Sequence, residues 1–397
     1  MSQPVILAAK RTPVGRFMGG LSRVPAPQLG AYAIQAVLEQ LPDIHDQVDE
    51  CIMGCVLQAG LGQNPARNAG LQAGLPHTLN AHTTNKVCGS GLQAVMIGAT
   101  AIKAGMAELI IGGGMENMSL APHLIYLRGG HKFGQANMID HMQHDGLWCV
   151  FQDWAMGDAA DHIAAKHGVS REDQDAFAYR SHHLAAEATE KGWFSDELVP
   201  LTGAQCHNRK DPSPAGGCGK DEGIRADTTP EAMGKLRPAF SKEGTVTAGN
   251  ASQISDGAAA IVVASEDKAK ALGVKPIAKI VDFCTSGVEP KDIFDAPAIG
   301  IEMIFERNKM GADDVDLYEI NEAFAAQALA NVRQLKLDEE RVNVCGGGVA
   351  LGHPIGASGA RVLTTLLHQL ERVDGTLGIA SLCLGGGNAV GMLVERM

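Results

Sequence analysis

The sequence predicts an α/β fold in which one unit occurs twice, and three observations carry that expectation. Short apolar runs alternate with helix-period segments, which is the βαβ pattern of a mostly parallel sheet. The order helix, strand, triple glycine appears at Gly112-Gly113-Gly114 and returns at Gly385-Gly386-Gly387. The chain has 397 residues, of which 45% are hydrophobic, 20% charged and 4% aromatic, with 48 glycines. That composition buries a large core and suits many tight strand-to-helix turns.

Taken in order, Val5 to Ala9 is the first strand. It holds only about half a dozen apolar residues before Lys10 and Arg11, too few for a secretion signal. After Gly91, the residues Leu92, Val95, Met96, Ala99 and Ile102 recur at helical spacing, and Gly105 is a stop. Leu109 to Ile111 is the next strand, followed by the first triple glycine. From roughly Ser119 to Ala248 the composition changes to mixed Pro, Gly, His and charge, including Asn208 to Gly223, which reads as an inserted loop domain able to cover a site. Inside it, Ser170 and Asp173 suit a capping box for a helix running towards Lys191. Ala259 to Val263 is again a strand, and Val315 to Ile320 is strand-like. Ser358-Gly359 opens a helix carrying Val362, Leu366, Leu367 and Leu370, and Leu377 to Leu384 follows as a strand. The expected division is 1–118 with 249–272 as the first half, 119–248 as the insert and 273–397 as the second half.

A net charge of -12 argues against a nucleic-acid surface and points to small-molecule partners. No run approaches the roughly 18 apolar residues of a membrane span. The nine cysteines, an odd number without secretory features, indicate reduced thiols in a cytosol-like compartment.

Some of those thiols are placed to react. Cys88 stands in Asn85-Lys86-Val87-Cys88-Gly89-Ser90-Gly91, just before a predicted helix, where free amides and the helix dipole favour a thiolate; a small buried cysteine at a tight turn is the alternative. His353 ends the loop Gly346 to Gly352 and precedes Pro354, which holds it out of helical geometry. It is either the base for a thiol or a structural histidine. Cys383 closes a strand just before Leu384 and the second triple glycine, as a reactive thiol or as core. Asn321, in Asn321-Glu322-Ala323-Phe324, either holds a water and polarises a carbonyl or caps a helix beginning at Glu322. Cys51 with Cys55, His141 with His144, and Cys206 with His207 and Cys218 form no paired CxxC framework, so no metal is expected. None of the triple glycines extends to GxGxxG, which removes the case for a nicotinamide enzyme.

Six stretches in one order resolve these alternatives: Asn85 to Val95, Gly113 to Ser119, Thr247 to Ser252, Asn321 to Ala325, Gly346 to Arg361 and Cys383 to Gly387. Together they resemble the thiolase family over essentially the whole chain. Ala121 to Gly130 and Met138 to Asp140 are similar to the loop that joins dimers into tetramers in acetyl-CoA acetyltransferases. The resemblance implies a five-layered α-β-α-β-α arrangement of duplicated βαβαβ halves, a homotetramer, and coenzyme A as co-substrate without a permanently bound cofactor. By the same resemblance Cys88 is the acylated nucleophile, His353 its base and Cys383 the acid and base on the substrate α-carbon. One oxyanion hole is His353 with a water held by Asn321, and the other is the amides of Cys88 and Gly385. Ala248 and Ser252 fall beside the pantetheine arm, Arg225 and Leu147 near the nucleotide, and Met156, Ala323 and Phe324 around the acyl cavity. Three residues depart from the pattern of acetoacetyl-CoA-type members: Ala155 for histidine, Ala232 for serine and Gln253 for glycine. The first is expected to widen the acyl pocket. Ketoacyl synthases resemble the same duplicated fold but use His or Asn where this chain has Cys383, so a thiolase is favoured. An inactive CoA-binding relative is the alternative outside catalysis.

Overall fold

A computed structural model describes residues 2–206 and 217–397. His207 and much of the stretch from Asn208 therefore lie outside the described residues. The frame is one sheet of nine main strands: β1 Pro4–Arg11, β2 Glu50–Gly54, β3 Asn80–Thr84, β4 Leu109–Asn117, β5 Ser255–Ser265, β6 Ala278–Gly287, β7 Leu317–Ile320, β8 Leu377–Leu384 and β9 Asn388–Arg396. The two-residue strand Gly15–Arg16 pairs alongside β5.

Across the sheet the order is β7-β8-β9-β6-β1-β5-β4-β2-β3. It reads the same outward from the β6/β1 seam in both directions, β9 matching β5, β8 matching β4 and β7 matching β2. The expected duplication is thus present in the strand order. The sheet is mixed rather than mostly parallel. The ladders β2 with β3, β2 with β4 and β7 with β8 are parallel, because a helix crosses between their strands. β8 turns directly into β9 through a glycine turn and so pairs antiparallel.

Eight helices matter here: α1 Ala26–Gln40, α2 Pro65–Gln72, α3 Ser90–Lys103, α4 Met156–His167, α5 Arg171–Glu190, α6 Ala296–Asn308, α7 Ala325–Leu335 and α8 Ile355–Arg372. Strand alternation sorts side chains to the two faces of the sheet. In β5, Ala258, Ala260, Val262 and Ala264 pack with Leu29, Ile34 and Val37 of α1. Their neighbours Ala259, Ile261 and Val263 pack with Leu92 and Val95 of α3 and Leu363 and Leu366 of α8. In the second half, Ala380 and Leu382 of β8 join that same inner cluster, while Ile379 faces Ile301 of α6 and Val332 of α7. α3 and α8 are therefore sandwiched between the two halves of the sheet and α1, α2, α6 and α7 lie outside, which gives five layers.

The first triple glycine does not follow β4 but lies inside it. A Cβ on Gly113 would sit 2.2 Å from the Ala259 carbonyl oxygen, and one on Gly114 2.2 Å from that of Gly356. These glycines leave room for a neighbouring strand and for the start of α8. The helix anticipated from Ser358 starts three residues earlier, at Ile355, with Pro354 as its N-cap. The capping box on α5 is present as expected: Ser170 accepts from the Asp173 amide, and Asp173 accepts from the Ser170 amide.

Candidate active site

The duplication decides where chemistry can collect. Cys88 lies two residues before the first residue of α3, and His353 two before that of α8. The two reactive positions are counterparts in the repeated unit. α3 and α8 meet at their first turns, where a Cβ on Gly91 would be 2.7 Å from the Ala360 amide nitrogen and one on Gly359 2.4 Å from that of Leu92. The register continues the correspondence. Gly114 pairs with Gly54 and Ser381 with Ile320, so Glu116 and Cys383 occupy matching places two residues farther on.

Cys88 is held on a strained turn. Val87, a β-branched residue, has φ 48, a conformation found where surrounding structure enforces it. Ser90 enforces it here, accepting from the Lys86 amide at 2.8 Å and donating to the Val87 carbonyl at 2.6 Å. The strain turns the half-buried thiol into a cavity of about 420 Å³ that is also lined by His353, Cys383 and Gly385. Burial pushes the Cys88 thiol up to about 12, against the downward pull of hydrogen bonds from the amides of Gly385 and of Cys88 itself. Burial therefore works against the thiolate that a helix start favours.

His353 is buried, and its Nδ1 lies 2.6 Å from the Ser358 hydroxyl oxygen. That hydroxyl also lies 2.9 Å from the Pro354 carbonyl oxygen, which can only accept. Ser358 spends its one proton there and accepts from Nδ1–H, so Nε2 is the basic nitrogen. Burial, and after it the charge of Arg361, lowers His353 to about 3, so the imidazole is neutral. Asn321 Nδ2 lies 3.4 Å from Nδ1 and 3.5 Å from Nε2 of this ring, and its buried Oδ1 has no partner among the described residues. The helix after Asn321 is α7, which begins at Ala325 with Phe324 at its cap. The capping alternative for Asn321 is therefore excluded.

Cys383 is buried at the end of β8. Burial, with the neighbouring Cys88 next in size, pushes its thiol well above the usual range. The turn that follows needs glycine: Gly386 and Gly387 have φ 87 and 91. Glu116, whose part the sequence did not disclose, is wholly buried beside this site. It accepts from the amides of Val56, Leu57 and Gly356 at 3.0, 3.2 and 2.9 Å, binding a loop of the first half to the start of α8. Burial pushes its carboxyl up to about 7 despite those three donors.

Leu147, Met156, Ser252, Ala323 and Phe324 all line the cavity, as do Ala155 and Gln253. Phe324 meets Phe240 and Phe294 edge-on, with centroids 6.3 and 5.7 Å apart, and Phe240 lies against Gly157, so the far wall is aromatic. Leu147 closes a π-helical stretch, Met142–Leu147, a geometry frequent at functional sites. Arg225, Ala248 and Ala232 do not line the cavity and are exposed on the insert. Among the described residues no group of three His, Cys, Asp or Glu is placed to hold a metal ion. Ser358 and Glu116 escaped the sequence reading because neither carries a pattern of its own; only the fold turns them towards His353 and α8.

Comparison with known proteins agrees with this geometry. Residues 4–267 match the family described as thiolase, N-terminal domain, and 274–396 match thiolase, C-terminal domain. The chain is 50% identical to an acetyl-CoA acetyltransferase of Pseudomonas aeruginosa and 49% identical to one of Cupriavidus necator, each over 397 residues and 100% of both chains. A probable acetyl-CoA acyltransferase of Staphylococcus aureus is 48% identical over the same span. The crystal structure of the Bacillus anthracis acetyl-CoA acetyltransferase superposes with a TM-score of 0.96 at 41% identity, covering 100% of this chain and 99% of that one. With both halves matched in sequence and fold, and the paired thiols and histidine in one cavity, the chain belongs to the thiolase family and is an acyltransferase.

Proposed function

We propose that this thiolase interconverts two acetyl-CoA with acetoacetyl-CoA and CoA, carrying the acyl group on Cys88. In cleavage, His353 Nε2 takes the Cys88 proton and the sulfur attacks the 3-oxo carbon. The bond between the α- and 3-carbons breaks, and the acetyl-CoA enolate leaves with a proton from Cys383. Free CoA then attacks the thioester on Cys88 and removes the acyl group. Synthesis runs these steps backwards, with Cys383 withdrawing the α-proton. The observation that carries the reading is the one cavity that Cys88, His353, Cys383 and Gly385 line together, with the backbone amides of Gly385 and Cys88 beside the thiol. Donors fixed there meet the oxygen that becomes negative at the attacked carbonyl. The second oxyanion, on the enolate, falls to His353 and to a water on Asn321.

The remaining assignments follow from this one. The half at 1–118 with 249–272 supplies Cys88, the half at 273–397 supplies His353, Cys383, Asn321 and Gly385, and the insert at 119–248 covers CoA. Ser252 and Ala248 flank the pantetheine arm, Arg225 and Leu147 the nucleotide, and Met156, Ala323 and Phe324 the acyl group. The protein works in a cytoplasmic compartment on acyl-CoA, as a tetramer. Tyr126 and Phe133 are 83% and 98% exposed on the segment proposed to join dimers, which supports that assembly.

A second reading concerns chain length. Ala155 lines the cavity and the far wall is aromatic, which favours acyl groups longer than acetyl. The test of both is mass spectrometry of the protein mixed with acetyl-CoA and with longer acyl-CoAs, together with thiolysis rates on the matching 3-oxoacyl-CoAs. An acetyl increment on the Cys88 peptide is expected. Rates on acetoacetyl-CoA equal to or above those on longer chains would discard the widened pocket, and acylation elsewhere would discard the mechanism.

A further inference from the structure

Gln253 occupies a junction that the proposed chemistry has not used. Its backbone carbonyl accepts from the His353 amide at 3.1 Å. Its side-chain Nε2 faces three carbonyl oxygens: Gly223 at 2.7 Å, and Val349 and Ala350 at 3.4 Å each. Carbonyls only accept, so the amide orientation is fixed with nitrogen inward. Val349 and Ala350 belong to the single helical turn Gly348–Leu351 that leads into His353. Gly223 belongs to the insert and runs so close that a Cβ there would lie 2.7 Å from the Ala350 oxygen and 2.8 Å from Gln253 Nε2. Two residues beyond it, the Arg225 amide donates to Nδ1 of the buried His182 at 3.1 Å, leaving the guanidinium side exposed. One side chain therefore spans from the loop of the insert that presents Arg225 to the turn that presents His353.

We infer that Gln253 is a positioning residue that ties the nucleotide end of the CoA site to His353, so that binding energy from the nucleotide is used to hold the base in place. This rests on the assignments of Arg225 and His353 above. Contacts remote from the reacting bond raise the rate only when something transmits them to the reacting groups, and the junction at Gln253 does so through hydrogen bonds at both of its ends. A thioester of pantetheine, which lacks the nucleotide, reaches the cavity without engaging the segment at Arg225.

The test is the single-turnover rate of Cys88 acylation by saturating acetoacetyl-CoA and by saturating acetoacetyl-pantetheine, normalised to sites titrated with iodoacetamide. The parent protein is expected to acylate several-fold faster with the CoA thioester. In Gln253→Ala that ratio falls towards one, and Gln253→Asn, whose amide is one methylene short of the three carbonyls, behaves the same way. A clamp serving only the fold would lower thermal stability or the titrated fraction and leave the ratio alone. An unchanged ratio in both variants, or a parent ratio of one, overturns the inference. No acylation of the parent by either thioester would instead remove the role assigned to Cys88.

Discussion

Ser358 decides which nitrogen of His353 takes a proton. Replacing it with alanine frees the ring to turn and to exchange tautomers. Ser358→Ala is expected to lower kcat by at least about tenfold, part of the ~10²- to 10⁴-fold a positioned base supplies, with substrate KM nearly unchanged. Steady-state thiolysis checks this, and a kcat equal to the parent's would contradict the tautomer assignment. His182 gives a stability prediction. Burial, with Arg225 next, lowers it to about 4, below the ordinary 6.5 of an unfolded chain. A depressed pKa means stability present above pH 6.5 and lost as pH falls towards 4. At about 1.4 kcal/mol per unit, the loss is of the order of 3 kcal/mol. His182→Asn keeps an acceptor for the Arg225 amide and cannot charge, so its melting temperature is expected to fall less between pH 6.5 and 4.5 than the parent's. Parallel curves would refute it. In the sequence Cys88, His353 and Cys383 stood out as candidates because each sits beside glycines, but each kept a structural alternative that only the resemblance to the thiolase family resolved. Ser358, Glu116 and Gln253 were opaque as to role, since their roles come from what the fold sets opposite them. How strongly burial opposes a thiolate at Cys88 is set by the fold, whereas the helix start that favours one is visible in the sequence.

Between elements, the contact of α3 with α8 is set by two glycines. By helix propensity alone Gly359→Ala would stabilise α8 by up to about 1 kcal/mol. The Cβ it adds would lie 2.4 Å from the Leu92 amide nitrogen, a backbone atom that cannot swing away. The substitution is therefore expected to destabilise by about 1 to 3 kcal/mol, read as a shift of the urea midpoint, and to slow thiolysis by moving Cys88 against His353. A raised midpoint would show that the two first turns are not closely packed. Such glycines explain what was legible among the elements. The second triple glycine ends β8 because φ above zero is required there, whereas the first lies within β4 because neighbours need its space. Sequence shows glycine and not which reason applies. The same ambiguity hid the start of α8, which the sequence placed at Ser358-Gly359 and which in the fold includes Gly356, a point of close approach. The mixed sheet was missed because apolar runs show that strands exist and say little about their direction.

The whole molecule is joined by buried charge as well as by packing. Arg11, at the end of β1, is wholly buried and reaches the insert, with Nε 2.6 Å from Glu197 and Nη1 2.7 Å from Asp221. Its guanidinium also lies 5.2 Å from the Phe194 ring centroid. Arg11→Met leaves two buried carboxylates without their cation, and breaking such a pair costs about 3 to 5 kcal/mol. Chemical denaturation should show that loss; a variant as stable as the parent would mean the insert is held by apolar contacts alone. The duplication and the insert were legible because they recur or interrupt at the scale of whole segments. The ion pairs were not, since Arg11 and Asp221 are far apart in the chain and only the folded sheet brings them together.

Two thiols, Cys88 and Cys383, line one cavity, and different tasks are proposed for them. The most direct measurement is the loss of 3-oxoacyl-CoA absorbance with added CoA for the parent, Cys88→Ala and Cys383→Ala, each shown to be folded. The parent is expected to cleave the thioester and both variants to fall by a factor of about 10² or more, as for loss of a general acid or base, while acyl transfer from acetyl-CoA onto Cys88 persists in Cys383→Ala. Cleavage at the parental rate by either folded variant would contradict the proposed tasks.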